Sequence, residues 1–185
     1  MRGIALLAGL LLAGAASAAP ADRADVGQIM QQLGMGALGT DSAAGLIANF
    51  PALQTQDVAG KACATKQVSA LLDVQFQQGV VDSMGTEGSQ LIKEWKQFLA
   101  TESGSDMART FQVTAVAIAS GDAEFDAGLD EDRKAEISRF MATPAFLRFI
   151  DGFGSENQLP EDIGQQLVDV LQRECNIALN PEQIS

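Results

Sequence analysis

Histidine and tyrosine are absent from this 185-residue chain, tryptophan occurs once and cysteine twice. Without histidine there is no imidazole general base, no Ser-His-Asp or Cys-His unit and no His-ligated zinc. Carboxylate, lysine or Ser-Lys chemistry is what remains, and neither S-x-x-K nor G-x-S-x-G occurs. Basic residues are also scarce, 12 against 24 acidic. That balance disfavours nucleic acid, whose binding needs Lys and Arg to displace counterions, and anionic lipid surfaces likewise. It favours solubility and would draw a cationic partner inward. The longest apolar run, Ile4 to Gly14, is too short to cross a bilayer, and no stop-transfer segment follows.

That run belongs to a leader. Met1-Arg2 is a short positive start, and Ala16-Ser17-Ala18 reads as the small-residue site of a signal peptidase. The expected cut falls between Ala18 and Ala19. Residues 1–18 are then the signal peptide and 19–185 a single helical domain. No Cys follows the site, so a lipid anchor is not expected, nor is membrane insertion after the leader is removed. The expected location is the periplasm or the exterior. Removing Arg2 with the leader leaves 11 basic and 24 acidic residues, a net charge of −13.

In an oxidising compartment two cysteines most simply form one disulfide. Cys63 and Cys175 lie 112 residues apart, so the bridge would tie an early helix to the last one. The alternative is two separate thiols. Two thiolates with no histidine make half a metal site, so no metal and no cofactor is expected.

Helical periodicity runs through the rest. Val26, Ile29, Met30 and Leu33 form a first stripe, with Asp22 or Asp25 near its start. After a glycine-rich break, Asp41 or Ser42 is placed to cap a short helix through Leu46, Ile47 and Phe50, ended by Pro51. Val68, Leu71, Leu72, Phe76, Val80 and Met84 predict a longer helix stopped by Gly85. Ser89 is the expected cap of the next, whose Leu91, Ile92, Trp95, Phe98 and Leu99 make the cleanest stripe. Thr101 to Ser105 reads as a loop. Met107 to Ala119 fits a buried helix with a stripe of Met107, Phe111, Thr114, Ala115 and Ile118, although Val113 to Ile118 also alternates like a strand. Asp130 to Met141 is predicted helical with Ile137, Phe140 and Met141 inward. Thr143-Pro144 restarts a helix carrying Phe146, Phe149, Ile150 and Phe153. Pro160 opens the last, with Ile163, Leu167, Val170, Leu171 and Cys175 on its inner face. The expected architecture is an all-α, single-domain irregular bundle of six to eight helices.

Few motifs carry chemistry. Gly34 to Gly39 matches G-x-G-x-x-G, but a helical stripe precedes it where a dinucleotide site needs a strand, so it reads as a helix–helix connection. Asp122, Glu124, Asp126, Asp130, Glu131 and Asp132 form an acidic run and a candidate interaction surface. Read as an EF-hand from Asp126, its sixth place is Glu131 rather than Gly and its twelfth is Ile137, so the pattern fails. Irregular calcium binding and a solvated helix start are the alternatives. Glu87, Glu94 and Glu102 are candidates for a paired-carboxylate glycan hydrolase, but Trp95 lies in an apolar stripe and reads as core rather than as a sugar platform. The dense Phe140, Phe146, Phe149 and Phe153 read as packing, or as a groove for a partner helix.

The stretch Glu136 to Phe149, a helix running through Phe140-Met141-Ala142-Thr143-Pro144 into a second helix, resembles a family of small exported bacterial proteins, the domain-of-unknown-function family numbered twenty fifty-nine. Val26 to Gly34, V-x-x-I-M-Q-Q-L-G, sits where such proteins begin their first helix. Met141 replaces the family's aromatic and Phe146 stands where it tends to have Gly. The resemblance implies an exported helical protein and transfers no catalytic residue. The functional expectation is a non-catalytic periplasmic protein that acts by contact with another protein. Alternatives are an acidic inhibitor or immunity protein against a cationic toxin or wall hydrolase, a carboxylate-based wall hydrolase, and an apolar ligand carrier.

Overall fold

The computed structural model describes residues 18–120, 128–153 and 160–179, without the side chains of 114–120. The leader through Ser17, the acidic residues Asp122, Glu124 and Asp126, and Thr114, Ala115 and Ile118 as stripe residues lie outside that description. The described chain is all-α. Its helices are α1 (Arg23–Gln32), α2 (Leu38–Asn49), α3 (Pro51–Gln54), α4 (Val58–Met84), α5 (Gly88–Leu99), α6 (Glu102–Ser120), α7 (Glu131–Met141), α8 (Pro144–Asp151) and α9 (Ile163–Cys175). Since α3 is a single turn, eight full helices build the fold, and no strand occurs among the described residues. The ambiguous stretch from Met107 to Ala119 is helix.

Local rules account for several ends. Asp22 caps α1 by accepting from the amides of Ala24 and Asp25. Thr143 caps α8 by accepting from the Phe146 amide, and Pro144 takes the first helical position, where no amide is needed. Asn176 closes α9 in the left-handed region, and the Ile177 amide then donates to the Leu171 carbonyl at 3.1 Å, which turns Ile177 into the core.

Other ends depart from the sequence reading, and distant chain explains two of them. Helix α2 starts at Leu38, ahead of Asp41 and Ser42. Its Gly39 amide donates to Oδ1 of Asp73 on α4, 3.2 Å away. A side chain at Gly39 would run into the Asp73 carboxyl and the Ser69 carbonyl, so the glycine lets α2 press onto α4. Helix α5 starts at Gly88 rather than after a Ser89 cap, because the Ser89 amide donates to the Ala19 carbonyl at 2.9 Å. Of the predicted loop at Thr101 to Ser105, Thr101 precedes α6 and Glu102 to Ser105 form its first turn. Thr101 Oγ1 accepts from the Gly104 amide, and the missing side chain of Gly104 makes room for the Phe98 carbonyl at the end of α5. Helix α4 begins ten residues before Val68, capped by Asp57. Pro160 precedes α9, which starts at Ile163.

The apolar residues gather in two clusters. The first collects α1, the end of α4, and α5 to α8 around Trp95, and the second collects α2, α3, the front of α4 and α9 around Val68, Leu72 and Leu171. The 27-residue α4, about 40 Å long, runs through both. Phe76 on it packs against each. Cys63 on α4 and Cys175 at the end of α9 are paired at a Cα–Cα distance of 5.8 Å, beside the second cluster.

Candidate functional site

The feature most like a site lies where α6 returns as α7. Ser103, Asp106, Met107, Thr110 and Phe111 recur at helical spacing along one face of α6. That face begins polar and turns apolar. Its polar end is welded to α7: Ser103 Oγ donates to Glu136 Oε2 at 2.6 Å, and Arg133 Nη1 donates to Asp106 Oδ2 at 2.5 Å. These two pairs run in opposite directions along the helices, so α6 and α7 form an antiparallel hairpin. Arg133 also meets Glu102 at 2.9 Å and Asp130 at 3.4 Å, and Arg109 closes on the other oxygen of Asp106. Asp106 and Ser103 are the buried polar residues among those described. A buried carboxylate is stable only with its charge matched and its lone pairs filled. Two guanidiniums do both for Asp106, which makes this cluster an interhelical clamp rather than an exposed reagent.

Beyond the clamp the hairpin opens into a cleft of about 540 Å³. Met107, Phe111, Leu129, Ile137 and Met141 supply its apolar wall, and among the described residues Lys134 is the charged one on it, 3.0 Å from Glu131. Met107 is buried at its inner side, and Phe111 and Ile137 are half-buried against the Trp95 cluster. Met141, predicted inward, is 41 % exposed: one position past Phe140 on α7 it lies off the buried line and on the cleft. A cleft of this size with an apolar wall is within the range that holds small ligands or partner side chains.

The other sequence candidates fall elsewhere. Of the acidic run, Asp130 caps α7 through the Arg133 amide, Glu131 pairs with Lys134, and Asp132 is exposed in the same first turn, where carboxylates favour the helix dipole. Among the described residues no group of three acidic or cysteine side chains is placed to hold a metal ion. Glu87 faces Arg148 at 3.7 Å, Glu94 accepts from Gln90, and Glu102 joins Arg133, three separate neighbourhoods. Trp95 is fully buried, and its indole N–H donates to the Ala145 carbonyl at 2.8 Å. Phe140 and Phe149 stand 4.8 and 4.7 Å from its ring. These rings, with Phe146, are core. The Gly34 to Gly39 segment joins helices α1 and α2, with Gly39 spent on the approach to Asp73. At the expected cleavage site, Ala18 is exposed, Ala19 is hydrogen-bonded to the start of α5, and Ala21 is buried.

The clamp and the cleft were invisible as a unit in the sequence. Asp106 and Arg133 are 27 positions apart and match no motif. The usable signal was Asp106 standing at helical spacing from Ser103 and Thr110, a charge beside the apolar Met107 and Phe111. Among the described residues no helix is long and apolar enough to cross a membrane. Searches with known family descriptions, curated proteins and solved structures find no match to this chain.

Proposed function

We propose that this is an exported periplasmic protein, cut between Ala18 and Ala19, that acts by contact with another protein and performs no chemistry of its own. The observation that carries this reading is the α6–α7 cleft, an apolar recess beside ionic groups already paired with one another. A partner inserting apolar side chains would bury Met141 and Phe111 against a clamp that fixes the hairpin. The Cys63–Cys175 pair suits an oxidising compartment, and the likeness of Glu136 to Phe149 to exported helical proteins points the same way. A second reading, carriage of an apolar small molecule, draws on the same cleft and its volume.

The test uses the full chain with its leader. The periplasmic fraction should contain protein whose first residue is Ala19. The immobilised protein should retain a partner at low salt, and Met141→Asp should release it. Muropeptide release by the pure protein, or co-purified lipid in place of a protein, would overturn the contact reading.

A further inference from the structure

We propose that the α6–α7 cleft receives a basic amphipathic helix of a partner protein. This rests on the contact reading above and names the chemistry of the partner. The wall is the first argument: the thioethers of Met107 and Met141 can repack around different anchors, and Phe111 gives a rigid face, the makeup of grooves that accept apolar side chains at helical spacing. The rim is the second. Glu102, Asp130, Glu131 and Asp132 stand at the clamp and the first turn of α7 beside the cleft, four carboxylates sharing the two cations Arg133 and Lys134, with the Glu102 and Glu131 side chains 85 and 90 % exposed. Lys134, the cation on the wall, lies beside Glu131, so an anionic headgroup entering the cleft would compete with a carboxylate already there. A single ammonium group could meet one of these acids. A helix with several lysines, its apolar stripe in the cleft, can share more than one of these exposed carboxylates. The chain as a whole adds a long-range attraction, 24 acidic residues against 12 basic.

The experiment is calorimetric titration of the folded full chain with a synthetic helix of about 18 residues carrying Leu and Lys at amphipathic spacing. Binding is expected at about 20 mM NaCl and should weaken about tenfold by about 200 mM. Met141→Asp, at an exposed position, should weaken binding tenfold or more. Glu131→Lys with Asp132→Lys should weaken it and flatten the salt dependence. Thermal melts of both variants show whether they are folded, and each stands in for the other if one is not. The proposal is overturned if the Leu/Lys helix does not bind, if a Leu/Glu helix binds as well, or if dodecanoate occupies the cleft more tightly. It is also overturned if sedimentation shows a dimer that Met141→Asp dissociates, since a second copy would then cover the face. A periplasmic partner lost with Met141→Asp, together with no binding of the Leu/Lys helix, leaves the contact reading standing and removes this one.

Discussion

The two halves of this molecule hold themselves together by different means. The cluster around Trp95 is large and aromatic: Phe98 and Phe140 stack at 3.9 Å, Phe140 and Phe149 flank the indole, and the one polar atom of that indole has a partner. The cluster around Leu72 and Leu171 is smaller, its buried members all Ala, Val, Ile or Leu, with Phe50 and Phe76 at its edge. Beside it sits the cysteine pair. Ring–ring contacts add about 0.5–1.5 kcal/mol each beyond burial, and among the described residues none falls in the second cluster. A covalent link across a long loop acts instead on the unfolded chain, by limiting its freedom. Packing secures one half and connectivity the other, and α4 couples them.

Trp95→Ala should do the most damage, about 4–5 kcal/mol, since it empties the centre of the ring cluster and removes a buried hydrogen bond. Urea unfolding followed by circular dichroism would read it, and a loss under about 2 kcal/mol would mean the rings are not the main prop of that half. Replacing Cys63 and Cys175 together by Ala should cost about 3–4 kcal/mol. Hydrogen exchange in the same variant sharpens the contrast: amides of α9 and α2 should lose protection while those of α5 and α8 keep it. Uniform loosening would show that the halves do not differ in this way. Gly39→Ala should cost about 2 kcal/mol by pushing Asp73 off the start of α2, again felt mainly in the aliphatic half. Thr143→Ala, which removes the α8 cap in the aromatic half, should cost about 1 kcal/mol and shift the urea midpoint without changing the slope.

Where a helix is fixed by its own residues, the sequence was enough. The α5 stripe, the Thr143-Pro144 start of α8 and the inner face of α9 were all readable, because spacing and capping act within a few positions. Failures came where distant chain intervenes. Asp73 caps α2 from 34 positions away, and Ala19 serves the start of α5 from 70 positions away, so nearby Asp41, Ser42 and Ser89 misled. The polar look of Thr101 to Ser105 suggested a loop, yet Ser103 finds Glu136 and stays helical. The division into two clusters has no local signature at all, since α4 carries one unbroken apolar stripe through both. The cysteine pairing was readable for a different reason: two cysteines allow only one intramolecular bridge.

That bridge also turns most of the protein into a ring. Residues 63–175 form a closed circuit through sulfur, while α1, α2, α3 and the front of α4 hang outside it as a tail. A protease that nicks the backbone once within the circuit produces no free piece. The two fragments migrate as one species until a reductant is added, and they remain positioned to hold their native packing. A nick before Cys63 instead releases an N-terminal piece bound by contacts alone. This topology makes a single cut survivable over about three-fifths of the chain.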